Sequence, residues 1–268
     1  MEKEKIILET IKNNPNLSYS EISKIIGYSK STIQYYCNKN KIHRDRKLLQ
    51  RLNNTDRNTE LEFTNTALEI FNGTLLGDSS VTKYNRNTTP KRILNSRITS
   101  GHCIEQKEYL LYLKNLIELE GIKSNYTENN NINRSIIEGR EVITYGRCDL
   151  STRRSISFNK FRDKWYSEDN IKNVPRDIYE HFSELSLAIW FMDDGSKNNC
   201  SYYLHTESFT IEDINFLQKL LYDKFNIKTT IHINRKKPLI YIKAESRELF
   251  TEIVKPYICE SMKYKLIT

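Results

Sequence analysis

Residues 187–196 read LAIWFMDDGS, an arrangement that is unusual for a buried helix. Six apolar residues run directly into Asp193, Asp194 and Gly195. The apolar run predicts a helix that is buried on all sides, and a following glycine is typical of a helix end. Carboxylates avoid a protein interior unless they are paired or bind a metal ion. The stretch therefore predicts a buried helix that delivers negative charge to one particular place.

An earlier segment, residues 69–80, repeats this pattern with the sequence EIFNGTLLGDSS. Its apolar run also ends in an aspartate, Asp78, at the place that matches Asp194. Similar elements follow each copy in the same order: β-like segments around 93–100 and 201–206, amphipathic helices at 105–123 and 211–228, hairpins at 124–150 and 229–244, and closing helices near 156–166 and 245–256. The chain therefore predicts an α+β fold with two αββαββα halves, residues 63–170 and 171–268.

Residues 1–45 predict a small all-α helix-turn-helix domain. Three short helical segments are separated by a run ending at Pro15 and by Gly27, and Ser29 is positioned as the N-cap of the third. The residues expected to face inward are Ile6, Ile7, Ile11, Ile22, Ile25, Ile26, Ile33 and Tyr36. In this layout the last helix enters the DNA major groove, and its outward residues are Lys30, Ser31, Gln34 and Tyr35. A three-helix adaptor without a DNA role is the alternative.

A basic tail, HRDRKLLQR, follows the third helix and adds Arg44 and Arg46 to the candidate DNA contacts. Residues 46–62 are polar and charged without a sustained apolar face, so we interpret them as a linker. The chain of 268 residues carries a formal net charge of +8. This balance favours a polyanionic partner, because each Lys or Arg placed on a phosphate releases counterions.

The composition excludes several other classes of protein. Hydrophobic residues make up 38% of the chain, which supports a packed core and argues against wholesale disorder. No stretch approaches the roughly 18 consecutive apolar residues of a membrane span, and the N-terminus lacks a signal-peptide layout. Five scattered cysteines without a CxxC pair favour reduced thiols. We therefore expect a cytoplasmic protein of a bacterial or phage host, with organellar encoding as the alternative, and no membrane partner.

The two aspartates at matching helix ends indicate a specific chemistry. If the helices pack side by side, Asp78 and Asp194 emerge together, and each carboxylate raises the pKa of the other. A divalent cation removes that cost, and Mg²⁺ prefers a few carboxylate oxygens together with water and substrate phosphates. Such a site beside a basic surface suits phosphodiester hydrolysis. The alternative is that each aspartate caps a turn or is solvated.

Both segments resemble the signature helices of the LAGLIDADG homing endonucleases, in the single-chain form that carries two copies. LAIWFMDDG matches the nine-residue motif directly, and FNGTLLGDS matches it from Phe71 with Asp78 at the acidic position. Further stretches of the second half are similar to this family: SFT at 208–210, NRKKPLIYI at 234–242, VKPYI at 254–258 and MKYKL at 262–266. The resemblance covers roughly residues 65–268 and does not include the helix-turn-helix.

The resemblance implies a pseudo-twofold αββαββα pair, whose two four-stranded antiparallel sheets form a saddle in the DNA major groove. It also implies a monomeric endonuclease that depends on Mg²⁺, with Mn²⁺ able to substitute. Such an enzyme hydrolyses one phosphodiester in each strand of a long, asymmetric double-stranded DNA site and leaves 3′ overhangs.

The same resemblance assigns candidate metal ligands. Asp78 and Asp194 would bind the metal, assisted by the backbone carbonyls of Gly77 and Asp193. Asp193 stands where the family has a small residue, so two interpretations remain open for it: a second acid behind the first, or a partner for Lys172.

Two lysines, Lys172 in IKNVP and Lys265 in KYKL, match the family's active-site lysines. A lysine there would orient the attacking water or neutralise the charge that develops on the phosphate. Without the resemblance, both would be interpreted as solvated surface residues.

Glycines make the two motif helices unequal. Gly73 and Gly77 lie four residues apart on one helix face and permit the close approach of a second helix. The second copy has Ile189 and Asp193 at those places. We therefore predict an asymmetric interface in which the glycine-bearing helix receives bulk from its partner.

Polar and basic residues of the two hairpins are candidate DNA contacts. They are Arg134, Arg140, Arg147, Arg153 and Arg154 in or after the first hairpin, and Asn234, Arg235, Lys236 and Lys237 at the turn of the second. Any one cation is more often a phosphate contact than a base reader. Tyr241 and Lys243 are further candidates. His102 and His205, which follow strands of the two halves, are interpreted as structural.

The leading hypothesis is a sequence-specific, Mg²⁺-dependent double-strand DNA endonuclease. Two alternatives use the same fold: a non-catalytic DNA-binding regulator of transcription, and a maturase that binds intron RNA. Loss of one acidic position would favour the regulator, whereas both positions are present in this sequence.

Overall fold

The computed structural model describes residues 2–14, 17, 19–40, 42, 60–84, 95–131, 133–137, 140–144, 146–235 and 237–267. The chain divides into two compact units, Met1–Thr59 and Glu60–Thr268. Three of the candidate DNA contacts and most of the expected linker lie outside the described residues: Arg44, Arg46, Lys236 and 46–59. The domain limits expected from the sequence stay predictions.

The N-terminal unit contains three helices: α1 (Glu2–Asn13), α2 (Tyr19–Ile26) and α3 (Lys30–Lys39). Their shared core consists of Ile7, Ile11, Ile22, Ile33 and Cys37. A left-handed residue, Gly27 with a φ of 72°, follows α2. Ser29 caps α3 as predicted, because its hydroxyl accepts a hydrogen bond from the Thr32 amide at 3.2 Å.

The faces of these helices agree with the prediction except at two positions. Lys30, Ser31, Gln34 and Tyr35 of α3 are all exposed. The inward orientation predicted for Ile6 and Ile25 is wrong, since these side chains are 39% and 59% exposed. Ile6 lies about 100° around the helix from Ile7, and Ile25 lies about 60° from Ile22, so both are at or beyond the edge of the single stripe that such short helices bury.

The C-terminal unit contains two halves with the same order of elements. The first half comprises α4 (Asn65–Leu76), β1 (Ser80–Val81), β2 (Ile98–Cys103), α5 (Lys107–Leu119), β3 (Ser124–Asn129), β4 (Asn133–Ile137), β5 (Arg140–Thr144), β6 (Arg147–Thr152) and α6 (Ser157–Trp165). The second half comprises α7 (Glu184–Asp194), β7 (Gly195–Lys197), β8 (Tyr202–Leu204), α8 (Ile211–Phe225), β9 (Thr229–Asn234), β10 (Lys237–Ile242) and α9 (Arg247–Val254).

Each half builds one four-stranded antiparallel sheet, with strand orders β1-β2-β6-β3 and β7-β8-β10-β9. This confirms the αββαββα order. The single hairpin expected over 124–150 is wrong, because β3 and β6 are neighbours in the main sheet and a separate two-stranded hairpin, β4-β5, is inserted between them. In the second half β9 ends at Asn234 and β10 begins at Lys237, which leaves no room for such an insertion.

The helices α4 and α7 pack against each other at the centre of this unit. A Cβ atom on Gly73 would lie 2.6 Å from the carbonyl oxygen of Ser186 and 3.0 Å from the Cβ of Ile189. The Ser186 hydroxyl also donates a hydrogen bond to the Glu69 carbonyl at 2.9 Å. Glycine is therefore required for this approach, and the predicted asymmetric interface is confirmed.

A hydrophobic core runs through the C-terminal unit beneath both sheets. Both tryptophans of the chain, Trp165 and Trp190, are buried in it. Their fluorescence therefore reports on the folding of this unit alone. Within the described residues, no helix combines the length and apolarity needed to cross a bilayer.

Candidate functional site

Three carboxylates meet where α4 and α7 end. Asp78 follows the last residues of α4 and its side chain is 42% exposed. Asp194 is the last residue of α7 and is partly exposed, whereas the side chain of Asp193 is fully buried. The two acids at equivalent positions are thus open to solvent, and the extra acid is sealed behind them.

His102 lies between two of these carboxylates. Its Nδ1 is 3.7 Å from Asp78 Oδ2, and its Nε2 is 3.6 Å from Asp193 Oδ1. Gln106 and Ser100 hold the ring through contacts of 2.9 and 3.2 Å to the same two nitrogens. The sequence-based interpretation of this histidine as structural missed its place in the site, because only the register of β2 shows which way the ring points.

The strand registers show that His102 and His205 are not counterparts. Matching rows of paired residues cross the two sheets: Ser80, Thr99, Ser151 and Asn125 in the first, and Ser196, Tyr203, Tyr241 and Thr230 in the second. Ser80 and Ser196 each stand two residues after the motif aspartate. Counting from these rows, His102 corresponds to Thr206, and His205 corresponds to Gly101. The first half therefore supplies Asp78 and a histidine at a position where the second half has Thr206, whereas Asp193 comes from α7 of the second half.

Asp193 fills the space that a glycine leaves open. A Cβ atom on Gly77 would lie 2.3 Å from the Asp193 Cβ. Thr74 donates a hydrogen bond to Asp193 Oδ2 at 3.2 Å, while the buried Oδ1 has no hydrogen-bond partner. Burial, reinforced by repulsion from the other two aspartates, raises the pKa of Asp193 to about 8. Burial and the charge of Asp78 likewise raise the pKa of Asp194 to about 6.

The two candidate lysines bind the carbonyl groups at the ends of the motif helices. Lys172 Nζ donates to the carbonyls of Ser79 at 2.9 Å and Gly77 at 3.3 Å. Lys265 Nζ donates to the carbonyls of Met192 at 2.5 Å and Asp193 at 3.0 Å. A cation at a helix C-terminus also interacts favourably with the helix dipole. Both carbonyls that were expected to assist a metal thus accept lysine hydrogen bonds in this structure.

These contacts decide between the two interpretations of Asp193. The His102 ring lies between the carboxylates of Asp193 and Asp78. The hydrogen bonds of Lys172 go instead to backbone carbonyls at the end of α4. The interpretation of Asp193 as a direct partner for Lys172 is therefore wrong. Burial lowers the pKa of Lys172 to about 8, against the attraction of the aspartates, and it also lowers the pKa of Lys265.

The side chains at this place fit a divalent cation. Asp78, His102 and Asp193 each offer a ligand atom, and these atoms all lie within 4.8 Å of one another. The unpartnered, buried Asp193 Oδ1 and the mutual repulsion of the aspartates are costs that a cation relieves. Asp194 stands outside this trio but is close enough for Asp78 to raise its pKa.

Polar and basic residues line the open sheet faces beside these carboxylates. The exposed ones are Arg147 at the start of β6, Arg153 after it, Asn234 and Lys237 at facing ends of β9 and β10, and Arg235 between them. On the first sheet a cleft of about 340 Å³ is lined by both Asp78 and Arg147. Arg154 instead donates to the Asn95 carbonyl at 2.6 Å, so it has a structural contact.

Comparison with known proteins agrees with this architecture. Residues 68–250 match the model of the LAGLIDADG DNA endonuclease family. The chain belongs to this family. Residues 2–39 separately match a winged helix-turn-helix DNA-binding model, which confirms the predicted helix-turn-helix.

Relatives of this LAGLIDADG chain are named as maturases and endonucleases. It is 32% identical over 243 residues to the cytochrome b mRNA maturase bI2 of Saccharomyces cerevisiae, covering 86% of this chain and 54% of that protein. It is 38% identical over 138 residues to the probable intron-encoded endonuclease 1 of Wickerhamomyces canadensis, covering 48% and 58%. The chain thus spans just over half the length of each.

A solved structure shares the fold along most of the chain. It is the homing endonuclease I-WcaI bound to its DNA recognition sequence, with a TM-score of 0.63 and 27% sequence identity. The match covers 84% of this chain and 95% of that one. The predicted α+β LAGLIDADG fold is confirmed.

The buried acid of this LAGLIDADG site predicts how stability depends on pH. Because folding raises the pKa of Asp193 from 3.8 to about 8, the folded unit holds a proton there that the unfolded chain releases, and stability falls as the pH rises between these values. Asp194 acts in the same direction up to about pH 6. Lys172 does not contribute to the pH dependence of stability below about pH 8, since it is protonated in both the folded and the unfolded state there.

We therefore expect Asp193→Asn to raise the free energy of unfolding by about 1–3 kcal/mol near pH 8 in a chelator and to change it little near pH 4. Urea titrations followed by tryptophan fluorescence measure this. If the free energy of unfolding of the variant fell with pH as steeply as that of the wild type, Asp193 would not be the source of the pH dependence, and its raised pKa would be contradicted.

Proposed function

We propose that this chain is a sequence-specific, divalent-metal-dependent DNA endonuclease that hydrolyses one phosphodiester in each strand and leaves 3′ overhangs. The observation that carries the proposal is the pair of equivalent acids, Asp78 and Asp194, at the ends of two packed helices. Each helix end also has its own lysine, the partly buried Lys172 for α4 and the buried Lys265 for α7, and an open sheet face with basic residues adjoins Asp78. The family membership and the DNA-bound structural relative support this proposal.

The chain's own residues have separate tasks in this mechanism. A divalent cation, Mg²⁺ with Mn²⁺ able to substitute, supplies Lewis acidity and lowers the pKa of water when bound. Asp78 and Asp194 would hold it, because they are the acids with solvent access, and His102 and Asp193 would add ligand atoms on the buried side of Asp78. Lys172 and Lys265 fix the helix ends and place positive charge where the phosphate gains negative charge.

The arrangement of the two halves favours a monomer on an asymmetric target. Both acids come from one chain, so a second copy is not needed to cut the second strand. The open faces of the two sheets differ in sequence at most positions, which favours a long site whose halves are unlike. Double-stranded DNA is therefore the proposed partner.

Selection from a randomised DNA library tests the proposal. The wild-type chain with Mg²⁺ should enrich one long, asymmetric site among the cleaved molecules, and Asp78→Asn should enrich none. Sequencing of the cut ends should show recessed 5′ strands. A library that is cleaved without enrichment, or equally well by the Asp78 variant, would overturn the proposal.

A maturase role is the second candidate, and the similarity to the yeast cytochrome b mRNA maturase favours it. Tight binding to a structured intron RNA, with faster splicing of that intron on addition of the protein, would establish it. Splicing that proceeds at the same rate with and without the protein would exclude it. The two activities are compatible.

The helix-turn-helix unit is proposed to extend the DNA footprint beside the cut site. Deleting residues 1–45 should shorten the footprint and weaken affinity by about 10-fold or more, because several cations that contact phosphates are lost. The position of the cut should not move. Footprinting and cleavage mapping measure both, with Lys30→Ala as a milder variant of the same surface.

An unchanged footprint, or a cut that relocates, would contradict this role. Binding of residues 1–45 upstream of the protein's own gene would instead support the alternative that this unit represses its own expression.

A further inference from the structure

We propose that Arg147 and Asp149 together read one G·C base pair in the first half of the DNA site, and that the second half has no equivalent device. This inference rests on the proposed DNA endonuclease function. It names the residue pair that would determine the preferred base at one position of the DNA site, which the fold by itself does not identify.

The two side chains form a preorganised pair on the open face of β6. They are two residues apart in the strand, so they point to the same side of the sheet. Arg147 Nε donates a hydrogen bond to Asp149 Oδ1 at 2.7 Å, and the two side chains are 64% and 49% exposed. The carboxylate thus fixes the guanidinium plane before any ligand binds.

A glycine in the neighbouring strand makes room for this pair. Gly101 of β2 stands directly opposite Asp149. A Cβ atom on Gly101 would lie 2.1 Å from Arg147 Nη2 and 2.7 Å from Asp149 Oδ1. The guanidinium therefore lies across the surface of β2, and any other residue at position 101 would displace it.

The donor groups that remain match a guanine. Because Nε is occupied, Nη1 and Nη2 are left, and among the described residues neither has an acceptor. An arginine that donates both bonds to guanine O6 and N7 is the commonest specific contact in the major groove. The Asp149 carboxylate can also accept from the N4 amino group of the paired cytosine.

The charge of the pair argues for a base contact over a phosphate contact. Arg147 and Asp149 together are neutral, and the carboxylate repels a phosphate that approaches the guanidinium. Nonspecific affinity for DNA comes from cations that neutralise phosphates, and a neutral ion pair contributes little to this affinity. A base edge, with donors and acceptors side by side, suits it better.

The position of the pair relative to the candidate cleavage site is also suitable. Asp78 and the Arg147–Asp149 pair line the same cleft, together with Thr99, Asn125 and other polar residues of the sheet. A duplex that presents a phosphate to Asp78 would therefore lie against this face and offer its base edges to the pair.

The second sheet lacks this device at every equivalent position. Counting from the matched rows, Lys237 corresponds to Arg147, Leu239 to Asp149 and His205 to Gly101. A lysine is a flexible point charge without the planar fork, and a leucine cannot hold it in place. In this half, Tyr241 stacks on His232 with ring centroids 4.4 Å apart, so an aromatic surface replaces the ion pair.

Base-preference profiles from the cleavage selection test the inference. The wild type should show one strong guanine preference in the half-site beside Asp78, and Arg147→Ala should lower that discrimination by about 5- to 100-fold at this position alone. Arg147→Lys keeps the charge but loses the fork, so it should lose the same preference while it retains most of the affinity. Gly101→Ala should weaken the same preference by displacing the guanidinium.

Lys237→Ala is the matched control from the second half. It should weaken binding uniformly across sequences and reduce the salt dependence, without changing the preference at one base pair. An Arg147→Lys profile identical to that of the wild type, or a uniform loss for Arg147→Ala like that of Lys237→Ala, would overturn the inference. A wild type that enriches no site would instead overturn the proposed function.

Discussion

Replacing Asp78 with asparagine is expected to abolish double-strand cleavage while DNA binding survives, and the same is expected for Asp194→Asn. Asparagine keeps the shape of the side chain and removes the charge that would hold a divalent cation. A loss of about 10³-fold or more in the rate of linear product is reasonable when a group that stabilises the transition state is removed. Gel-shift assays should give affinities close to that of the wild type, since neither substitution removes a cation that contacts a DNA phosphate.

The experiment uses a supercoiled plasmid that carries the selected site. Linear and nicked products are separated, so cutting of one strand and of both strands are measured together. Asp223→Asn is a suitable control, because this exposed residue contacts Lys219 one turn away and the Tyr179 hydroxyl, and it lies outside both motif helices. Linearisation by either motif variant at the wild-type rate would remove the basis for the proposed function.

The contrast between these acids shows what could be predicted from the sequence. Asp78 and Asp194 were identifiable because a local pattern, an apolar helix ending in an aspartate, occurs twice. The roles of Lys172 and Lys265 could be suggested only through the resemblance, since each binds carbonyls more than 70 residues away in the chain. No local pattern records such a contact.

His102 shows why the rest of the site could not be predicted. In a strand, a shift of one residue turns a side chain from one face of the sheet to the other. His102 points to Asp78 and the buried Asp193, and His205 belongs to the opposite face of its own sheet, although both follow strands of their halves. The register that separates them depends on pairing with β1 and β6, and the inserted hairpin between β3 and β6 obscured that pairing.

The two halves have diverged at each place where they meet the candidate site. Gly77 faces Asp193, His102 corresponds to Thr206, and Gly101 corresponds to His205. At each of these places one half carries a side chain that has no counterpart in the other half. A duplicated fold that has lost its internal symmetry in this way can recognise a target without symmetry, and the two strands need not be cut at equal rates.

The helix interface on which this asymmetry depends gives the last prediction. Gly73→Ala is expected to lower the free energy of unfolding of the C-terminal unit by about 2–3 kcal/mol, because overpacking a tight interface carries a cost of this size. Its Cβ would lie 2.6 Å from the backbone oxygen of Ser186, which cannot move independently of α7. In the middle of an ordinary helix, the same change would stabilise by about 0.5–1 kcal/mol. The sign of the effect is therefore diagnostic.

A second glycine separates packing from backbone strain. Gly121 has a φ of 74° and open space around its Cβ position, so Ala and Leu there should cost about the same, roughly 1 kcal/mol. At Gly73, Leu should cost far more than Ala, because every added carbon meets α7. Urea titrations followed by the fluorescence of Trp165 and Trp190 measure both series in the same unit. If the loss of unfolding free energy rose equally with side-chain size at the two positions, or if Gly73→Ala were stabilising, α4 and α7 would not be in close contact. The acids at the ends of these helices would then lack the packing that brings them together.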